Sequence, residues 1–140
     1  MVIVTRLTLP ASMKLKSGDD FKRTYDAKCS VADARLVAYA MVNGLTHSRI
    51  GLSVSKKVGN AVKRNRIKRM LREAFRLNQH EVPSGYDFIF IPRGPALTYS
   101  IDQWRDSVLL LTRRVVRRIN PSNRQGTSGP KMEDREQPMT

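Results

Sequence analysis

The chain has one cysteine, Cys29, so it cannot form an internal disulfide, and a reducing compartment is its simplest setting. We read Cys29 as a small half-buried residue rather than a nucleophile. There are two histidines, His47 and His80. Neither has a triad-like context, and no HExxH or paired Cys/His spacing for a metal is present. Asp19 and Asp20 are adjacent, but no third acid at a suggestive spacing completes a two-metal site. They suit the first turn of a helix instead. Long apolar runs and lipidation signals are also missing. The opening MVIVTRLTLPASMK has neither a basic leader nor the sustained apolar segment of a secretory signal, so the reading is a soluble, cytoplasmic protein.

Acids are the other shortage: 12 Asp and Glu stand against 26 Lys and Arg, a net charge of +14. Such an excess points to a polyanionic partner, with nucleic acid the default. An anionic membrane surface competes, without an apolar segment to support it. At 140 residues and 40% hydrophobic, the chain suits one domain with a modest core. We divide it into an irregular lead-in over 1–14, a domain over 15–120 and a disordered tail over 121–140. The tail, PSNRQGTSGPKMEDREQPMT, is rich in Pro, Gly and Ser and has no apolar period.

Ser17-Gly18-Asp19-Asp20 reads as a helix N-cap, with a short helix following to about Ala27. Phe21 and Tyr25 share one of its faces. RLVAYAMV, from Arg35 to Val42, suits a strand, and a further strand is read around Cys29 to Ala32. RIGLSVS, from Arg49 to Ser55, sets Ile50, Leu52 and Val54 against a face of Gly51, Ser53 and Ser55 that is open to an approaching group. With Asn43-Gly44 as a turn signal, these two segments are expected to form a hairpin. Gly59-Asn60 caps a helix to about Leu77, whose buried stripe is Ile67, Met70, Leu71, Ala74 and Phe75. YDFIFIP, from Tyr86 to Pro92, is a strand. Ser100-Ile101-Asp102-Gln103 is a capping box opening a helix to about Ile119, with Trp104, Val108, Leu111 and Val115 along its inner stripe. Arg113, Arg114, Arg117 and Arg118 complement that helix's negative end. The order argues an α+β protein: a two-layer sandwich with helices covering a small sheet.

The stretch KKVGNAVKRNRIKRMLREAFR, residues 56–76, is where charge concentrates, with Glu73 as its one acid. Lys56, Lys63, Arg64, Asn65, Arg66, Lys68, Arg69, Arg72 and Arg76 lie in it. A solvated face is the bland explanation. Against it, the compensating acids of i, i+4 pairing are missing, and the run begins at a helix N-terminus, where cations oppose the dipole and anions are welcome. Phosphates docked there relieve both penalties, and arginine's planar fork suits them. The small polar face of RIGLSVS, beside Tyr39, adds a second surface on which unpaired nucleotides can stack.

RIGLSVSKKVGNAVKRNRIKRMLREAFR, with its Arg64-Asn65-Arg66 signature, strongly resembles the bacterial ribonuclease P protein component. The likeness extends through LKSGDDFKRTY, the Tyr39 strand, YDFIFIPR and the last helix, or roughly Leu15 to Ile119. It implies a fold of the ribosomal protein S5 domain 2-like type, mainly antiparallel, with a left-handed βαβ crossover. It also implies a ribonucleoprotein in which RNA with bound Mg2+ removes the 5′ leader of precursor tRNA. The protein would then carry no catalytic side chain and hold no cofactor or metal of its own. The partners implied are ribonuclease P RNA and precursor tRNA, with no membrane and no obligate protein partner. Contact with the RNA subunit maps onto Lys56, Lys63, Arg64, Asn65, Arg66, Lys68, Arg69, Arg72 and Arg76. The leader maps onto Phe21, Tyr25, Tyr39, Ser53, Ser55 and Lys57. The family often has phenylalanine where Tyr25 stands, so stacking is retained. A ribosomal or ribosome-assembly RNA-binding protein shares the charge and size and is the alternative reading; a protein-only nuclease comes third.

Overall fold

The computed structural model describes residues 9–120. Among the described residues three α-helices and four strands form, at the positions their caps and periodicities mark. Helix α1 spans Gly18–Asp26, and the Ser17 hydroxyl accepts from the Asp19 and Asp20 N–H groups. Strands β1, Ser30–Ala32, and β2, Leu36–Val42, follow, and then β3, Arg49–Leu52. Helix α2, Ala61–Leu77, is capped by the Asn60 side chain, which accepts from the Lys63 N–H at 3.0 Å. Strand β4 spans Tyr86–Pro92, and α3 spans Ile101–Ile119 behind a complete Ser100–Gln103 capping box.

The sheet runs β1-β2-β4-β3, antiparallel except where β3 meets β4 in parallel. The expected hairpin between RLVAYAMV and RIGLSVS does not form, because β4 lies between them. The reason is burial. In β4, Phe88, Ile89 and Phe90 are all fully buried, so this strand has two covered faces and takes the centre. Asn43-Gly44 does turn the chain, but the Asn43 amide bonds the Asp87 carboxylate at 2.9 Å and the His47 carbonyl at 3.1 Å. These bonds clamp a wider loop to the start of β4. Strand β3 also ends earlier than expected, at Leu52, with the Ser53 N–H still donating to the Phe90 carbonyl at 3.1 Å.

One sheet face holds the core. Leu36, Ala38, Ala40, Ile50, Phe88 and Phe90 meet Ile67, Leu71, Phe75, Trp104, Val108 and Leu111 from α2 and α3. Among the described residues the opposite face receives α1, which crosses the row Tyr39, Ile89 and Gly51 that the strand register aligns. Of the expected lead-in, residues 1–8 lie outside the described residues. Leu9 is buried, Ala11–Met13 make a short 3-10 turn, and Lys14 and Leu15 run beside Ile50 on the outer edge of β3. That pairing covers an otherwise open strand edge. The 121–140 segment lies wholly outside the described residues.

Candidate nucleic-acid interface

Two surfaces flank the short stretch from Ser53 to Asn60. The first is a groove on the α1 side of the sheet. Tyr25 meets Tyr39 edge-on, with centroids 4.9 Å apart at 82°, and Phe21 stands 6.4 Å from Tyr25. All three rings are half-buried. The small face of β3 is not wholly open, as the sequence suggested, because Phe21 occupies part of it. A Cβ at Gly51 would lie 2.6 Å from Phe21 Cζ, so glycine here is what lets the ring lie on the strand. Beside this aromatic wall the next row, Val37 with Ile91 and then Ser53, is half-buried and uncovered by α1. Ser55 and Lys57 are exposed at the rim; the Ser55 hydroxyl accepts from the Lys57 N–H at 3.0 Å and so caps a 3-10 turn over Lys56–Val58. The groove is therefore apolar and aromatic on its floor, small and polar along its far side, and cationic at one end. That arrangement suits stacked, unpaired bases with a phosphate strand at the rim.

The second surface is the outer side of α2. No acid occupies its first turn. Gly59, at φ 151° and ψ −165°, adopts a conformation open essentially to glycine alone, and it aims Asn60 at the helix start. The Arg64 Nε donates to the Gly59 carbonyl at 3.2 Å, which ties the crossover turn to the helix and leaves the rest of that guanidinium available. Among the described residues, Lys56, Lys63, Asn65, Arg66, Lys68, Arg69 and Arg72 make no side-chain hydrogen bond or ion pair. Arg76 differs: its guanidinium is held two-pronged by Glu73 at 3.0 and 2.6 Å, and that hydrogen bonding raises its pKa further. Both residue sets are thus brought together, each on its own surface, with Arg76 already paired.

The sequence reading passed over the charged cluster that fixes α1. Asp87 lies in an otherwise apolar strand and is 3% exposed. It receives Arg49 at 2.8 and 2.7 Å and Asn43 at 2.9 Å, while Arg49 also faces Asp20 of α1 at 3.5 Å. Hydrogen bonding to Asp87 raises the Arg49 pKa despite burial, so the guanidinium stays charged. The signal was present: an acid inside YDFIFIP and an arginine opening RIGLSVS both alternate onto the α1 face. Asp20 pairs with Arg23 as well as Arg49, so it does more than serve the helix dipole. Burial pushes the Cys29 thiol up, against the opposing charge of Arg118, which keeps it protonated and supports an inert role. Among the described residues no group of three His, Cys, Asp or Glu is placed to hold a metal, and no helix is long and apolar enough to cross a membrane.

A small basic α+β scaffold with a cationic crossover helix and an aromatic cluster across the sheet fits the class of RNA-binding proteins. The family model for ribonuclease P matches residues 9–118. The ribonuclease P protein component of Alkaliphilus oremlandii is 36% identical over 107 residues, 76% of this chain and 94% of that protein. That of Clostridioides difficile is 48% identical over 80 residues, 56% of this chain and 70% of that one. Solved ribonuclease P proteins are similar too. The Thermotoga maritima protein gives a TM-score of 0.66 at 32% identity over 71% of this chain and 96% of its own. The Staphylococcus aureus protein gives 0.63 at 35% identity over 78% and 93%. The chain belongs to the ribonuclease P protein family. Its role is that of the accessory protein subunit in a tRNA-processing ribonucleoprotein enzyme, where its partner is the ribonuclease P RNA.

Proposed function

We propose that the two surfaces divide the labour of that enzyme. The α2 face, through Lys63, Arg64, Asn65, Arg66, Lys68, Arg69 and Arg72, with Lys56 from the turn before it, grips the RNA subunit, and Arg76 joins after exchange from Glu73. The groove takes the 5′ leader of precursor tRNA: Tyr39, Tyr25 and Phe21 stack bases, Ser53 and Ser55 contact the strand, and Lys57 meets a phosphate. Phosphodiester hydrolysis belongs to the RNA and its Mg2+. The protein binds, orients and screens. Two polyanions repel strongly, and a +14 scaffold between them lowers that repulsion. The work is done in the cytoplasm, where precursor tRNA is made.

The observation that carries this reading is the row of α2 cations Lys63, Arg66, Lys68, Arg69 and Arg72, which make no side-chain hydrogen bond or ion pair among the described residues, a step along the chain from an aromatic cluster. Reconstitution tests it. The chain is mixed with ribonuclease P RNA at low Mg2+, and precursor tRNA cleavage is followed. Leader removal at Mg2+ concentrations where the RNA alone is inactive is the expected result. No gain in cleavage, together with ribosomal RNA as the species that co-purifies from cells, would favour a ribosome-assembly protein instead.

A further inference from the structure

The groove has a far end. From Ser53 its floor runs over Ile91 and Val37 to Ala32, the exposed β1 residue that the register sets beside Val37. β1 is an edge strand, and among the described residues no chain pairs outside it. Helix α3 runs alongside this edge. The Cys29 thiol donates to the Val115 carbonyl at 3.9 Å, the Arg118 guanidinium donates to the Ser30 carbonyl at 2.8 Å, and Leu110 shares a depression with Asp33. At about 100° per residue, Leu110, Arg114 and Arg118 form one stripe with Arg117 beside it, so Arg114 stands at the edge between its two anchored neighbours. Lys28, at φ 56°, adds a fourth cation where α1 hands over to β1.

All four cations are exposed. Among the described residues Lys28, Arg114 and Arg117 make no side-chain hydrogen bond or ion pair, and the acid nearest Lys28 along the chain, Asp26, is paired with Lys22 at 2.9 Å. Helices α1 and α3 both finish here, and their negative ends welcome cations. Each end carries about half a charge, so two ends answer about one cation of the four. Arg114 lies more than a turn inside α3, where that field has faded. The edge is therefore left with a positive surplus, in line with the groove. We propose, resting on the groove as the leader's seat, that this edge holds the phosphates of leader nucleotides upstream of those stacked in the groove. The direction follows from the RNA subunit. It cleaves at the end of the leader nearest the tRNA and docks on α2, so the leader enters beside Lys57 and leaves over β1. Strands about 4.8 Å apart put β1 about 14 Å from β3. Stacked nucleotides advance about 3.4 Å each, so about four cross the groove and later ones reach Lys28, Arg114, Arg117 and Arg118. The protein then grips a long leader in two places and a short one in one.

Holoenzyme reconstituted from the full chain and ribonuclease P RNA tests this, with precursor tRNA carrying leaders of about three or about twelve nucleotides, shorter and longer than the groove. Arg114→Ala and Arg117→Ala, made together, should lower affinity for the long leader by about fivefold. They should also flatten its salt slope by about 1.4, two phosphates at about 0.7 each. Affinity for the short leader and for the RNA subunit should stay unchanged. Arg114→Lys with Arg117→Lys should keep most of the long-leader affinity, because the charge stays. Circular dichroism checks that each variant stays folded. No loss with the long leader overturns the proposal. Equal losses at both lengths, or weaker binding of the RNA subunit, also overturn it, by giving the edge to another part of the RNA. Tyr39→Ala, run in parallel, tells this failure from failure of the groove. If it weakens binding at both lengths while the arginine variant changes neither, the edge alone is refuted. If it weakens neither, the groove reading falls and the proposal with it.

Discussion

A methyl group at position 51 would lie within 3.1 Å of three Phe21 ring atoms, at 2.6, 3.0 and 3.1 Å. Gly51→Ala must therefore lift Phe21 off β3, with an expected loss of about 1–3 kcal/mol in urea unfolding. Leader affinity should fall with it, since Phe21 forms part of the groove wall; unchanged stability and unchanged leader binding would count against the groove's geometry. Asp87 makes a second test. Its carboxylate gathers Arg49 and Asn43 in a site where its side chain is 5% exposed. Asp87→Ala strands a mostly buried guanidinium 3.5 Å from Asp20 as its remaining ion-pair partner, and should cost about 3 kcal/mol, measured by thermal or denaturant unfolding. Asp87→Asn keeps an acceptor and should cost less. Neither residue's role can be read from composition, because each depends on which strands become neighbours. An acid in YDFIFIP is only an anomaly until β3 brings Arg49 alongside it.

Helix ends carry the most locally determined information in this protein, and it shows. Ser17, Asn60 and Ser100 each cap the helix that their spacing foretells, since a cap needs only the side chain and the next turn. Stripes such as Ile67, Leu71, Ala74 and Phe75 are equally plain, because a helix buries residues at its own period. Strand order is not local. Asn43-Gly44 looks like a hairpin turn, yet the doubly buried β4 displaces β3 from β2, and only the assembled core selects that order. Likewise Phe21's seat on Gly51 arises from the packing of α1 across the sheet. On α2, Asn60→Ala should cost about 1 kcal/mol by removing the cap. Gly59→Ala should cost more: it forces a side chain into a glycine-only backbone conformation and meets Lys63 side-chain carbons at 2.8 and 3.2 Å. Both should loosen the RNA-subunit contact while leaving leader discrimination intact, as filter binding with each RNA would report. A loss of leader discrimination alone would contradict the assignment of α2.

For the molecule as a whole, the excess of 26 cations over 12 acids sets the physics. Each phosphate neutralised should add about 0.7–0.9 to the slope of log affinity against log salt, so Arg66→Ala or Arg69→Ala should flatten that slope by about one contact for the RNA subunit. An unchanged slope would remove those residues from the interface. The family assignment was legible in the long crossover segment. The proposed division into two surfaces draws less from the sequence, since the same +14 charge serves either. What separates them is geometry: the cations ride α2, and the rings line the far side of the sheet. The decisive measurement sets Arg66→Ala beside Tyr39→Ala, recording for each the affinity for ribonuclease P RNA and the preference of the holoenzyme for precursor over mature tRNA. The two-surface account predicts that Arg66→Ala weakens assembly and spares the preference, while Tyr39→Ala spares assembly and erodes the preference. Equal losses of both quantities in both variants would contradict it.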